Sequence, residues 1–333
     1  MPADNAVYRL VSRAARWIRD ATNAGLKQHG MLGWFFVIGT AVVGIFLLNW
    51  LTGRVHPVLQ FALHVLILYW TVGFRQFSHA FTDIQKLLSE GKVDEARETL
   101  RRWLAGSHDD DMAQGLAVDG SMRPDQRSDL PASEVCRLAI ADSFVAAHRH
   151  VFGPLLWYVI LPGPVGPVIY RMAELLARLW AQKTIPLITT EADRDKSYGE
   201  FAAQAYYWID WPAVRLSSAA FAVVGNFEDA IYCWRGANAA MEPAASQTDA
   251  SSEKNLFAEQ RSILLATGGG ALGLQIADQK TQAQWDSDES GFDWQGAVPD
   301  ARGLNSAVGL VWRSVVLWIG LFAMITIAGW LGR

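Results

Sequence analysis

An uncharged run of 20 residues, Leu32–Leu51 (LGWFFVIGTAVVGIFLLNWL), constrains this chain more than any other feature. A helix rising about 1.5 Å per residue covers about 30 Å over that length, the thickness of a bilayer's hydrocarbon core. The run is too long for a signal-peptide core, and no small-residue cleavage site follows it. Trp34 and Trp50 lie near its two ends, where interfacial anchors belong. The segment therefore reads as a transmembrane helix.

Two further segments read as spans. Val58–Phe74 follows the connection TGRVHP closely enough to make a helical hairpin with the first. His64 is its one ionisable group. It reads either as an intramembrane proton or ligand site or as a neutral imidazole bonded to a neighbouring helix. Val315–Leu331 is apolar and extends back to Ala307 if Arg313 snorkels to the headgroups.

Composition agrees with a chain that alternates between lipid and water. It is 51% hydrophobic and 19% charged, below the roughly 25% charge of globular domains. A net charge of −4 gives no basic footprint for nucleic acid. Cys136 and Cys233 make neither a disulfide framework nor a zinc site, and read as reduced and packed.

The middle of the chain is less regular. Val151–Tyr170 is long and apolar enough to span, but Pro162-Gly163-Pro164 and Gly166-Pro167 interrupt it. Freed backbone groups there need protein or a water-filled cavity. Trp211–Phe227 contains Arg215 beside Ser217 and Ser218. Arg9, Arg13, Arg16, Arg19 and Lys27 precede the first span, against Arg54 alone in the hairpin connection, which predicts a cytoplasmic N-terminus. A single crossing at 151–170 would put Arg171, Arg178, Lys183, Arg194 and Lys196 outside, against that rule. Both middle segments are therefore expected to be re-entrant or half-buried.

The polar stretches carry few motifs. Residues 80–105 predict two short helices turning at Gly91, with Ile84, Leu87 and Leu88 on one stripe and Val93, Ala96, Leu100 and Leu104 on the other. Residues 106–133, 242–254 and 278–302 read as loops, the last as mobile. His108, Asp109, Asp110 and Asp111 could bind a hard cation or simply be solvated. His148 and His150 lie on nearly opposite faces of a helix, which disfavours one shared metal ion. An interfacial anchor or a ligand contact fits them better. The run TGGGALG at 267–273 lacks the Lys and the strand context of a phosphate loop, and reads as close helix packing or a flexible turn.

Several of these segments resemble the CobD/CbiB superfamily of bacterial inner-membrane proteins. VFGPLLWYVILPGPVGPVIYR at 151–171 looks like the family's APLFW-type segment with its Gly/Pro break and Tyr-Arg ending. DWPAVRL at 210–216 resembles a later segment ending in Arg-Leu, and ATGGGALGL at 266–274 a Gly-rich one. The order of segments follows the family over roughly residues 31–331. The resemblance implies synthesis of adenosylcobinamide phosphate, in which an aminopropanol phosphate is joined to a corrinoid carboxylate with ATP, and with Mg²⁺. The chain departs from that pattern where the enzymes keep acids and amides. It has Val145-Ala146 and Arg149-His150 before the broken segment, and Glu174-Leu175-Leu176-Ala177-Arg178-Leu179 after it. No SPNAG-like motif is visible. DWPAVRL, Gly225, Glu228 and Trp234 are similar to the AmpE-like branch, which is linked to β-lactamase induction. Members of both branches usually open with a further apolar helix, which suggests that a native N-terminal segment precedes residue 1.

The expected architecture is all-α and polytopic, with three transmembrane helices, two broken apolar segments and cytoplasmic helices. It divides into an N-terminal cytoplasmic amphipathic helix (1–30), a transmembrane hairpin (31–74) and a cytoplasmic helical segment (75–150). The broken segments (151–227), a cytoplasmic segment (228–306) and a C-terminal span (307–333) follow. Tyr170, Arg171, Glu174 and Arg215 are the candidate ligand-binding residues, with His148 and His150 at the pocket mouth, no metal site, and Glu174 or Asp210 expected to pair with Arg215. The functional expectation is an AmpE-like sensory or regulatory protein. The alternative is a condensing enzyme of the superfamily that uses ATP and Mg²⁺. Expected partners are the bilayer and a corrinoid or cell-envelope small molecule, with no nucleic acid.

Overall fold

The computed structural model describes residues 6–22, 27–72, 74–110, 130–161, 163–180, 190–245, 252–277, 282, 285 and 294–331. Among these residues every extended element is a helix, and one isolated parallel bridge joins Leu274 to Ala297. The all-α expectation holds. The chain divides into two compact units, Met1–Gln76, Gly106–Ala117 and Arg149–Pro212 in the first, Phe77–Ala105, Val118–His148 and Ala213–Arg333 in the second.

The first unit opens with α1 (Ala6–Thr22) and then the apolar hairpin of α2 (Lys27–Val55) and α3 (Pro57–Thr71). The hairpin turn is written in His56-Pro57. Pro57 occupies the first helical position, where its missing N–H costs nothing, and His56 Nδ1 accepts the Val58 N–H at 3.1 Å. One expectation fails at the other end of α3. The helix stops at Thr71, with Val72 extended, and its 15 residues reach only about 22 Å. Two helices, Gln28–Val55 and Ala301–Gly329, are long and apolar enough to cross a membrane; α3 is apolar but short. Only 22% of either window is buried, and Phe35, Phe36, Phe46, Leu47, Phe61 and Tyr69 stand exposed. So much contiguous apolar surface is unfavourable in water and suits lipid.

The interrupted segment folds back on itself. Gly163 takes φ of 71°, and α7 (Gly153–Ile160) and α8 (Val165–Trp180) pack together on either side of it. A Cβ at Gly166 would lie 1.9 Å from the Trp157 carbonyl oxygen, so the close approach requires glycine. At eight residues, α7 reaches about 12 Å and cannot cross a bilayer alone. Before it, Pro154 has no N–H for the His150 carbonyl, and residues His148–Phe152 loosen into a π-helical turn. The unit closes with α9 (Thr190–Val224) as far as Pro212, where the division between units falls. There Trp157 Nε1 donates to the Ile209 carbonyl at 3.0 Å. The core helix of this unit is α8, which packs against α1, α2, α3 and α7.

The second unit contains most of α4 (Phe74–Ser89) and of α5 (Val93–Asp110), the expected pair, turning at Gly91 with φ of 75° and burying Ile84, Ala96 and Leu100. The helix α6 (Ala132–Ala147) packs on α11 (Ser252–Leu272) and α12 (Ala301–Leu331), and α11 also pairs with α10 (Phe227–Ala245). The Gly-rich run lies on the last turns of α11. Gly268 faces the Phe144 ring and Gly270 the Asp229 backbone, where Cβ atoms would come within 2.5 Å. It is a helix-packing surface. Residues 278–302, expected to be a mobile loop, contribute Trp285 to a core cluster with Cys233, Ala237, Ala266 and Ala277. The side chains of His108–Asp111, and Asp286, Asp288, Glu289 and Asp293, lie outside the described residues, as does the Lys196 side chain. Both cysteines are free and buried.

Candidate functional site

The sequence of α8 reads Arg171-x-x-Glu174-x-x-x-Arg178, which places two guanidinium groups and one carboxylate on one helix face. Arg171 and Glu174 are almost fully buried. Arg171 Nη1 donates to Glu174 Oε2 at 2.6 Å, and Arg178 Nη2 donates to Glu174 Oε1. The rest of Arg171 is held from two other elements. Its Nε donates to the Thr71 carbonyl at 2.8 Å, and its Nη2 to His150 Nδ1 at 2.6 Å. The last carbonyls of a helix have no partner within it, so Arg171 satisfies the early end of α3.

His150 comes from the π-helical turn. With Nδ1 accepting from a guanidinium it is a neutral imidazole, and burial, followed by the Arg171 charge, pushes its pKa well below the usual histidine range. Burial alone would raise the Glu174 carboxyl. Arg178 and Arg171, helped by Arg149, overcome this and hold it far below the usual carboxylate range. Arg149, also buried, acts electrostatically on both Glu174 and Tyr206.

A second polar group adjoins this one. Tyr170 donates to Asp210 Oδ1 at 2.7 Å and lies 3.4 Å, oxygen to oxygen, from Tyr206. Its ring passes so close to Gly153 that a Cβ there would lie 2.3 Å from Cζ. All three side chains are buried. Among the described residues this group gathers Arg149, Arg171 and Arg178 with Glu174 and Asp210, guanidinium chemistry that suits a carboxylate or phosphate ligand.

The first unit therefore holds the buried Tyr170, Arg171 and Glu174 and the part-buried His150 in one cluster. Arg215 and His148 belong to the second unit. Arg215 Nη2 pairs with Glu259 Oε1 at 3.4 Å, a partner the sequence reading did not nominate, and His148 Nδ1 lies 2.9 Å from Ser217 Oγ. Sequence reasoning missed Arg149, Arg178, Tyr206 and Thr71 as members of the cluster. The i, i+3 and i+4 charge spacing around Glu174 was the signal for Arg178; nothing local pointed to Thr71 or Tyr206. Among the described residues, no three His, Cys, Asp or Glu side chains converge as metal ligands.

In the apolar hairpin, His64 Nε2 donates to Asn49 Oδ1 at 2.8 Å, and Nδ1 lies 3.0 Å from the Tyr158 hydroxyl. Gln60 Nε2 donates to the same Asn49 oxygen at 3.3 Å. Both ring nitrogens are bonded to neighbouring helices.

Comparison with known proteins covers this whole region. The chain is 24% identical over 331 residues to the "Cobalamin biosynthesis protein CobD" of Stutzerimonas stutzeri (strain A1501), spanning 98% of this chain and 90% of that one. It is 24% identical over 273 residues to a protein of the same description from Chromobacterium violaceum, spanning 82% and 73%. No solved structure matches. Residues 26–250, which include all of the cluster around Glu174, match the family described as "Regulatory signalling modulator protein AmpE". The chain belongs to the AmpE family, a branch of the CobD/CbiB-like membrane proteins.

Proposed function

We propose that this protein is an integral inner-membrane protein with a sensory or regulatory role, its N-terminus cytoplasmic, and that the Arg171–Glu174 cluster is its ligand pocket. The observation that carries this reading is the engagement of Arg171. All three of its nitrogens are committed to protein groups, Thr71, Glu174 and His150. A condensing enzyme keeps cations free to stabilise developing charge. Here the cations hold an internal carboxylate instead. An anionic ligand, a carboxylate or phosphate on a corrinoid or cell-envelope molecule, would compete with Glu174 for Arg171 and Arg178, and its arrival would rearrange α8. Tyr170 and Asp210 line the same cluster.

A second reading, an adenosylcobinamide-phosphate synthase, is favoured by the CobD relatives and their match along 98% of this chain. It would take ATP and Mg²⁺. Glu174 has both oxygens on guanidinium groups, so the cluster as built does not fit a magnesium ion. The test is complementation of a strain lacking cobinamide-phosphate synthase on medium that demands corrinoid synthesis. The regulatory reading expects no growth. Growth that is restored, and lost again with Arg171→Ala, overturns it.

A further inference from the structure

The first helix carries two exposed stripes. Its inner face, with Ser12 and Ala15 buried, is pinned to the first unit: Trp180 Nε1 donates to the Ala15 carbonyl at 3.1 Å, and the Thr22 and Tyr198 hydroxyls lie 2.7 Å apart. Facing away are Leu10, Ala14, Trp17 and Ala21, a stripe at i, i+4, i+7 and i+11 in which Leu10 is 69% and Trp17 70% exposed. Beside it run the exposed Arg9, Arg13 and Arg16. At 100° per residue these three sit on one edge of the apolar stripe, with Asp20 the acidic residue among them.

We infer that α1 lies flat in the membrane interface, its Leu10–Trp17 stripe in the acyl boundary and Arg9, Arg13 and Arg16 on anionic lipid phosphates. Given the cytoplasmic N-terminus proposed above, on which this inference rests, charge complementarity selects the occupant, because cytoplasmic leaflets carry anionic lipid and a basic amphipathic helix binds there by apolar burial plus electrostatic attraction. Continuity with the lipid-facing hairpin points the same way. Tyr198, which holds the end of α1, also packs on Gly30 and Gly33 of α2, where Cβ atoms would come within 2.2 Å of it. The exposed Leu32, Phe35 and Phe36 begin the apolar surface of α2 directly afterwards. A helix anchored at that point has its apolar stripe at the level where the span enters the bilayer. A second copy of the chain would cover the apolar stripe but would meet three arginines with like charge.

The test uses the full-length chain in lipid nanodiscs, with a spin label on Ala14→Cys or Ala21→Cys. Both sites are exposed, so the fold is not at stake, and the buried native thiols give the unlabelled background. The readout is the ratio of collisions with oxygen to collisions with a water-soluble nickel chelate. A several-fold higher ratio is expected in discs containing phosphatidylglycerol than in phosphatidylcholine alone. Replacing Arg9, Arg13 and Arg16 together with Gln should remove that difference. A label that stays accessible to the nickel chelate in both discs overturns the proposal. So does dipolar broadening between labels, which would place a second copy on the stripe, and so does equal burial in both lipids.

Discussion

At the scale of single residues, Glu174 is the side chain on which most depends. It neutralises the buried Arg171 and the part-buried Arg178, so Glu174→Gln leaves both short of a counter-charge. Breaking a buried pair in this way costs about 3–5 kcal/mol, and the expected outcome is a matching fall in the stability measured by denaturant titration in detergent. The same cluster sets a response to acid in two stages. His150 is held neutral in the fold while the unfolded chain takes a proton near its ordinary value of 6.5, so stability is full above that pH and declines as pH falls below it. Glu174, depressed from 4.5, adds a second loss that begins below that value and is complete only at the far lower pH where the folded carboxyl protonates. His150→Gln keeps an acceptor for Arg171 and removes the upper stage alone; melting temperatures measured from pH 8 to pH 4 check this. The arginine and glutamate spacing on α8 was legible in the sequence because a helix turns it into contacts. The bond from Tyr170 to Asp210 joins residues that are far apart along the chain, and periodicity carries no information about such pairs.

At the scale of elements, prolines and glycines wrote most of what could be read. They announced the break at 162–164, the His56-Pro57 start of α3 and the turn at Gly91, whereas Gly166-Pro167, read as a second interruption, lies inside α8. The length of α3 was not legible, because apolar composition continues through Val72 and Phe74 although the helix ends at Thr71. Hydropathy records what a segment can bury, and the end of a helix depends on which groups satisfy its last carbonyls. The glycines of the break give direct tests. Gly166→Ala forces a methyl group into the Trp157 carbonyl and should cost about 1–3 kcal/mol or more, as overpacking does. Gly163→Ala meets a left-handed backbone and should cost about 1–2 kcal/mol without disturbing the packing of α7 on α8. Thermal melts of the two variants should rank them in that order.

At the scale of the whole molecule, the two long apolar helices and the exposed hairpin surface make this a membrane protein, and alkaline carbonate washing should leave it in the membrane pellet. Burial pushes the Cys136 thiol up to about 11 and the Cys233 thiol up to about 12. The native protein should therefore resist a thiol reagent at pH 8, and both residues should react once it is denatured. The bond between Arg171 and the Thr71 carbonyl has a mechanical meaning at this scale. It fastens the free end of a stub helix to the charged face of α8, within a first unit whose hairpin meets lipid. Arg171 cannot swing away without stranding that carbonyl or drawing the tip of α3 along with it. The lipid-facing hairpin and the arginine cluster are in this respect one lever with a single latch.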